Sequence, residues 1–341
     1  MTDSSNAWFG PILAAVLDRR ELTSSQIEQV FDAMLQGGFG EPETAAFLIA
    51  MRMKGESPRE LAAAATMLRR HMTPFDAGSG LLDTCGTGGD DAGTFNISTA
   101  AAIVAAGAGA RVVKHGNRAV SSRSGSADVL AELGLPIDAG IEWARRCLDR
   151  AGLAFLFAPQ FHPAMRHVGP LRRRLGVRTM LNLLGPLANP AGAEFQVLGV
   201  GRRDLLDPVA GALAALGTCR AFVVSGRDGL DEVSLSAPTD YREVREGSVT
   251  IGEWMPTDFG LDACLPMDLK AAGPAESAQI IREVRAGRAI PARRVVVANA
   301  AVGLLAAGRV RDVRAGARAA ETAIDSGMAG KVLESLRACA P

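Results

Sequence analysis

The chain has 341 residues, enough for one or two domains with a full core. Apolar residues make up 48% and charged residues 22%, and Lys+Arg and Asp+Glu both number 37, so the net field of a dedicated nucleic-acid binder is missing. The longest apolar runs are alanine-rich and glycine-broken, which argues against a membrane span, and Met1 to Asn6 lack the basic and apolar segments of a secretory leader.

Residues 1 to about 72 read as helices only. Trp8–Leu17, Ser24–Leu35, Pro42–Met53 and Pro58–Met72 place apolar residues at three-and-four spacing. Thr23 and Ser24 mark one start, and Pro42 and Pro58 fit first-turn positions. This small helical domain shows no chemistry of its own and leaves an apolar face for packing or dimerisation.

At Asp76–Gly80 the chain turns to alternating strands and helices. Leu81-Leu82 ends a buried strand and leads into Asp83-Thr84-Cys85-Gly86-Thr87-Gly88-Gly89-Asp90, and Thr94-Phe95-Asn96-Ile97-Ser98-Thr99 opens an alanine-rich helix over Ala100–Ala108. Strand, glycine loop and helix N-terminus together make a phosphate cradle, because glycine lets backbone approach an anion and the first helical N–H groups are unpaired. The loop is neither a Walker A motif nor the dinucleotide fingerprint, and alone it could be a tight turn. A second unit follows: strand Val112-Val113, then donors from Lys114 through Asn117, Arg118, Ser121, Ser122 and Arg123, then a helix over Ala127–Leu133 with Ser126 as its expected N-cap. Two such loops suit a ligand with more than one phosphate.

Ile141–Arg150 reads as a helix and Ala154–Phe157 as a buried strand. The alternation predicts a mostly parallel sheet flanked by helices, with binding at the carboxyl ends of the strands. Ala158–Pro190 is rich in basic residues. If His162–Leu175 is helical, Arg172, Arg173 and Arg174 form a solvated face unless one turns inward, where it would clamp a carboxylate. Strand Phe195–Val200, helix Asp204–Leu216 and strand Arg220–Ser225 follow. The last runs into a glycine turn bearing Asp231 and Glu232, adjacent carboxylates that suit Mg²⁺ or simply an exposed acidic turn. Tyr241–Glu253 reads as a peripheral hairpin, and helices over Ala278–Ala286, Val295–Ala306, Val313–Ser326 and Lys331–Cys339 cover the sheet. The five cysteines are scattered and never in a CxxC pair, a reduced, cytoplasmic usage without a zinc site; Cys85 reads as packing rather than as a nucleophile.

Together these segments resemble the anthranilate phosphoribosyltransferase family almost from end to end. The resemblance rests on Cys85–Asp90, Thr94–Thr99, Lys114–Arg118 through Ser126-Ala127-Asp128, Phe161-His162-Pro163, Arg178-Thr179, Asn182–Leu187, Asn189-Pro190 and Gly229–Ser234. Arg123 stands where the family often has lysine, and Met165 where some members place an aromatic residue.

The resemblance implies a homodimer with the fold shared by nucleoside phosphorylases and phosphoribosyltransferases. A small helical domain (residues 1–75, joined by part of 160–190) would accompany a large α/β domain (76–341) with a mostly parallel central sheet. It implies transfer of the phosphoribosyl group of 5-phosphoribosyl 1-diphosphate to anthranilate, in tryptophan biosynthesis, with Mg²⁺. By the same resemblance Gly86, Gly89, Asp90, Thr94, Asn96, Ile97, Ser98 and Thr99 hold the diphosphate and ribose. The run Lys114, His115, Gly116, Asn117, Arg118, Ala119, Val120, Ser121 and Ser122, with Ser126, holds the ribose and its 5-phosphate. Ser98, Asp231 and Glu232 hold the metal, Arg172 and Asn117 orient anthranilate, and no side chain acts as acid or base. Two alternatives share the fold: a pyrimidine nucleoside phosphorylase, disfavoured by Asp231-Glu232 and Asn96–Thr99, and a non-catalytic nucleic-acid binder, disfavoured by the balanced charge.

Overall fold

Four helices precede any strand, as their apolar spacing dictates: α1 (Phe9–Leu17), α2 (Ser24–Leu35), α3 (Glu41–Lys54) and α4 (Pro58–Arg70). The computed structural model describes residues 7–90, 92–119 and 124–340. Two of the four helices begin in capping boxes. Thr23 Oγ1 accepts from the Gln26 N–H while Gln26 Oε1 accepts from the Thr23 N–H, and Ser57 and Glu60 repeat the exchange. Glu60 does more than cap. It is fully buried, accepts from the Leu22 N–H at 2.9 Å, and meets Lys54 Nζ at 2.7 Å, so one carboxylate ties the α1–α2 connection, the end of α3 and the start of α4 together.

Seven strands then form one sheet: β1 (Leu81–Gly86), β2 (Arg111–Gly116), β3 (Leu153–Phe157), β4 (Phe195–Gly199), β5 (Arg220–Gly226), β6 (Thr239–Arg245) and β7 (Ser248–Trp254). Their order is β3-β2-β1-β4-β5-β6-β7, parallel from β3 to β5. The hairpin read as peripheral is β6–β7. It continues the sheet antiparallel from β5, with Val224 opposite Tyr241, whose ring stacks on Trp254 at 4.0 Å. The order reverses between β1 and β4, so their carboxyl ends flank the crevice where a doubly wound sheet binds ligands.

The intervening helices are α5 (Ile97–Gly107), α6 (Ser126–Glu132), α7 (Ile141–Ala151), α8 (Ala158–Phe161), α9 (Gly169–Leu175), α10 (Leu181–Leu187) and α11 (Leu206–Ala215); α12 (Pro274–Arg285), α13 (Pro291–Ala306), α14 (Val313–Asp325) and α15 (Met328–Ala338) close the chain. Strand alternation divides the core. Leu82, Val112, Val197 and Phe222 join α5 and α13 on one face, whereas Leu198, Ala221 and Val223 join α4, α10 and α11 on the other. The alanines of α5 and the valines of α13 are buried, which brings both helices close to the sheet.

Two local expectations change. His162–Leu175 is not one helix but a 3-10 turn (Pro163–His167) followed by α9, because Pro163 and Pro170 lack the N–H a continuous helix needs. The N-cap of α6 is Gly125 rather than Ser126, and Asp128 supplies the capping carboxylate by accepting from the Gly125 N–H at 3.1 Å. Among the described residues, no helix is long and apolar enough to cross a membrane.

Removing the Glu60 carboxylate strands a buried ammonium and two backbone N–H groups. Glu60→Ala is expected to lower stability by about 3–5 kcal/mol in urea unfolding. A loss below ~1 kcal/mol, the scale of an exposed pair, would show that the pair is not a structural tie.

Candidate active site

A cavity of about 850 Å³ opens at the carboxyl ends of β1 and β2, beside the acidic turn that follows β5. The glycine loop, the N-terminus of α5, the Lys114–Ala119 segment, α9 and the Asp231–Glu232 turn all reach it, so most of the residues expected to bind ligand share one wall or another. Val120, Ser121 and Ser122, together with Arg123, lie outside the described residues.

The loop owes its shape to left-handed backbone at Gly88 (φ +66°) and Gly89 (φ +85°). A Cβ at Gly89 would overlap the Arg178 guanidinium, whose Nη1 donates to the Gly88 carbonyl at 3.0 Å. Opposite, Gly86 and Gly199 end paired strands, and a side chain at either would collide with Asp231. The acidic turn is thus seated between β1 and β4, in the crevice set by the strand order.

The acidic pair engages the backbone donors expected to face diphosphate. Asp231 Oδ2 accepts from the Gly88 N–H at 2.9 Å, and Glu232 Oε1 accepts from the Ser98 N–H at the start of α5 at 3.1 Å. Asn96 precedes the helix, takes a hydrogen bond from the Thr99 hydroxyl, and donates its N–H to Ser277 Oγ at 2.8 Å. Lys114 Nζ donates to the Thr84 carbonyl and to Ser98 Oγ, the latter at 3.1 Å. Thr94 bridges to Lys270. In the second loop Asn117 Oδ1 accepts from the Arg118 N–H at 2.7 Å, and Asp128 ties both flanks by accepting from the Ala119 and Gly125 N–H groups and pairing with Arg118.

Electrostatics mark the acidic turn. Burial, with Asp90 crowding it, raises the Asp231 carboxyl to about 7, and burial with the Asp231 charge pushes Glu232 well above the usual carboxylate range. Burial lowers the Lys114 ammonium, opposed by Asp83 and the acidic turn. Asp90 Oδ2 is buried without a hydrogen-bond partner among the described residues. The adjacent carboxylates Asp231 and Glu232, with this Asp90 oxygen near Asp231, have the chemistry of oxygen ligands for a hard divalent cation. Mg²⁺ commonly takes one or two carboxylates and fills its other positions with water and phosphate.

The acceptor end is basic and aromatic. Arg172 and Arg173 both line the cavity, but Arg172 is half-buried, with no guanidinium partner among the described residues, whereas Arg173 is exposed; Arg174 is exposed and pairs with Glu41. Burial therefore makes Arg172 the most inward of the three. His115 and His162 stand 4.9 Å apart, ring centre to ring centre; His115 Nδ1 lies 3.2 Å from the Gly185 carbonyl and so carries the proton there. Burial lowers His115 to about 3 and His162 to about 4, so both are neutral at pH 7. Cys85 is buried and its thiol is pushed well up by burial, which leaves it a packing residue. Sequence reading missed Gly199 and Ser277: each acts on a partner in another element, and neither has a local signature.

A glycine loop and an acidic turn on a doubly wound sheet, with a helical unit in the same chain, fit the glycosyl transferase class. The glycosyl transferase family's a/b domain matches residues 78–330 and its helical bundle domain matches residues 10–72. The anthranilate phosphoribosyltransferase of Desulfosudis oleivorans is 46% identical over 96% of this chain and 97% of its own, and that of Rhodospirillum rubrum is 45% identical over 94% and 93%. Among solved structures, the Thermus thermophilus enzyme superposes with a TM-score of 0.89 at 40% identity over 96% of this chain and 98% of its own. The Saccharomyces cerevisiae enzyme in complex with PRPP and Mg reaches 0.89 at 30% identity, covering 98% of each chain. The chain belongs to the anthranilate phosphoribosyltransferase family.

The two buried imidazoles give the fold an acid limit. Both titrate below the unfolded value of about 6.5, so the unfolded chain binds protons that the folded chain does not. Their contribution is complete above pH 6.5 and is lost as pH falls toward 4 and then 3, each histidine adding up to about 1.4 kcal/mol per pH unit. His162→Gln is expected to flatten the loss of stability between pH 6.5 and 4.5 in urea unfolding. A slope equal to that of the unsubstituted protein would contradict the buried neutral imidazole.

Proposed function

We propose that this protein transfers the phosphoribosyl group of 5-phosphoribosyl 1-diphosphate to the amine of anthranilate, releasing pyrophosphate and N-(5-phosphoribosyl)anthranilate in tryptophan biosynthesis. The observation that carries the reading is the single cavity in which a glycine cradle, a donor-rich second loop, an acidic pair and an inward arginine face one another. The near-full-length identity to anthranilate phosphoribosyltransferases favours it over the phosphorylase and the nucleic-acid binder.

In this reading Gly86, Gly89, Asp90 and Thr94, with Asn96, Ile97, Ser98 and Thr99 at the α5 N-terminus, hold the diphosphate and ribose. Lys114 to Ser122 and Ser126 hold the ribose and 5-phosphate. Asp231, Glu232 and Ser98 hold Mg²⁺, which when bound neutralises charge on the diphosphate and so makes pyrophosphate a better leaving group. The Gly88 and Ser98 N–H groups, which lie against these carboxylates, would be placed to donate to phosphate oxygens of a diphosphate held beside the cation. Lys114, anchored by its bonds to the Thr84 carbonyl and Ser98 Oγ, would reach the same oxygens.

The bond between the sugar carbon and the diphosphate oxygen breaks, and a bond from the amine nitrogen to that carbon forms on the opposite face. The amine is poorly basic and already neutral at pH 7, so no side chain needs to take a proton before attack; the amine proton leaves afterwards. Arg172 and Asn117 orient the acceptor, Arg172 through the carboxylate. His115 and His162, neutral and facing the cavity, add no charge to compete with that clamp. Positioning and exclusion of water supply most of the rate, because water would attack the same carbon.

The same reading divides the chain into a helical unit (1–75 with part of 160–190) and an α/β unit (76–341). The packing of α10 against α4 supports placing part of 160–190 with the helices, and α4 packs on α11 as well. The reading also implies a homodimer: Leu17 on α1 and Met53 on α3 are 67% and 74% exposed, apolar surface of the helical unit that a second copy would cover. A cytoplasmic location fits the five free cysteines.

Asp231→Asn combined with Glu232→Gln is expected to lower kcat/KM by roughly 100-fold or more with the fold intact by circular dichroism. Unchanged turnover would remove the acidic pair from the reaction. Arg172→Ala is expected to raise the anthranilate KM by roughly tenfold or more while barely moving the KM of the diphosphate substrate. Equal rises in both would show that Arg172 does not hold the acceptor.

A further inference from the structure

The acidic turn owes its place to contacts on both sides. Asp231 and Glu232 are half-buried, and each accepts from a backbone N–H of a different element, Gly88 in the glycine loop and Ser98 at the start of α5, so the turn must be held in one position for both bonds to form. The amino-terminal side of the turn is closed locally: the Gly226 N–H donates to the Leu230 carbonyl at 2.8 Å, and the Leu230 N–H to Asp228. The carboxyl-terminal side passes through Val233, which is completely buried and belongs to no strand, so its N–H and C=O need partners from elsewhere.

Asn299 supplies both. Its Oδ1 accepts from the Val233 N–H at 2.9 Å, and its Nδ2 donates to the Val233 carbonyl at 3.0 Å. The same Nδ2 donates to the Val295 carbonyl one turn back at 2.9 Å, which fixes the amide on its own helix. Asn299 is 2% exposed in the middle of α13, the one amide in the otherwise apolar run from Val295 to Ala306. Asparagine is a poor helix former, and a buried amide is costly unless its bonds are made. Here all of its polar atoms are used on two carbonyls and one N–H. Two contacts to a single residue fix its rotation as well as its position. That residue directly follows Glu232.

We propose that Asn299 is a positioning residue for the phosphoribosyl transfer: by clamping both backbone groups of Val233 it holds Asp231 and Glu232 against the glycine loop and the α5 N-terminus, ready for the divalent cation. This rests on the reading of the acidic pair as the cation-holding pair. Asn299 touches neither substrate nor metal in this account and acts only through the turn.

Titration calorimetry of 5-phosphoribosyl 1-diphosphate with Mg²⁺ tests it on the intact protein. Asn299→Ala is expected to weaken that binding about tenfold or more, while the anthranilate KM changes less than about twofold. A purely structural loss would lower the melting temperature and the active fraction without this split. The Asp231→Asn, Glu232→Gln protein is titrated in parallel. If it binds as the unsubstituted protein does, the cation reading fails and the proposal with it; if it binds weakly while Asn299→Ala binds normally, only the positioning role is overturned. Should Asn299→Ala not fold, hydrogen exchange of the unsubstituted protein decides. The Val233 amide should exchange as slowly as the α13 interior without any ligand, and exchange as fast as that of the exposed Glu246-Gly247 turn would overturn the clamp.

Discussion

Three carboxylates brought together where the strand order reverses set the terms for the rest of the site. Asp90 rides the glycine loop, and Asp231 and Glu232 come from the turn after β5. Asp231 reaches that crevice because β1 and β4 are neighbours whose ends, Gly86 and Gly199, leave no side chain in the way. There Asp231 accepts from the Gly88 N–H and Glu232 from the Ser98 N–H, so the acidic turn lies directly against the glycine loop and the start of α5. A doubly wound sheet places such a cluster at its crevice without any special loop, since both strand ends point there.

The supporting shell is unusually apolar. α5 and α13 carry alanine and valine against the sheet, and the few polar side chains they meet or carry each make a defined contact. Ser277 from α12 holds the Asn96 N–H before α5, and Glu60 ties the α1–α2 connection to α3 and α4. The N-terminus of α5 thus rests on a long, buried helix, whereas the other end of the cavity is built from a 3-10 turn, α9 and α10, short pieces that contain proline.

Much of this was legible in the sequence because it is local. Glycines followed by a helix start announce a cradle within one stretch of chain, and the helices before residue 72 announce themselves by spacing. Lys114, Asn117 and the acidic pair stand inside motifs that also carry the family resemblance. What was not legible depends on partners far apart in sequence. Which of Arg172, Arg173 and Arg174 turns inward is decided by the packing of α9, not by their identical side chains. Ser126 looked like a cap by type, but Gly125 takes that place because Asp128 reaches back to it. Ser277 lies 181 residues from Asn96, and Asn299 lies 66 from Val233; an amide within an apolar helix was the only hint. The hairpin at Thr239–Trp254 was read correctly as a hairpin, but its place as the end of the main sheet follows from pairing with β5.

The central claim is the joining of two particular substrates in a metal-dependent way. Anthranilate is fluorescent, and its consumption can be followed directly with 5-phosphoribosyl 1-diphosphate and Mg²⁺, alongside reactions lacking each component. The account requires loss of fluorescence only when both substrates and the metal are present. No loss with demonstrably folded protein would contradict anthranilate as the acceptor, and loss without 5-phosphoribosyl 1-diphosphate would contradict the phosphoribosyl transfer itself.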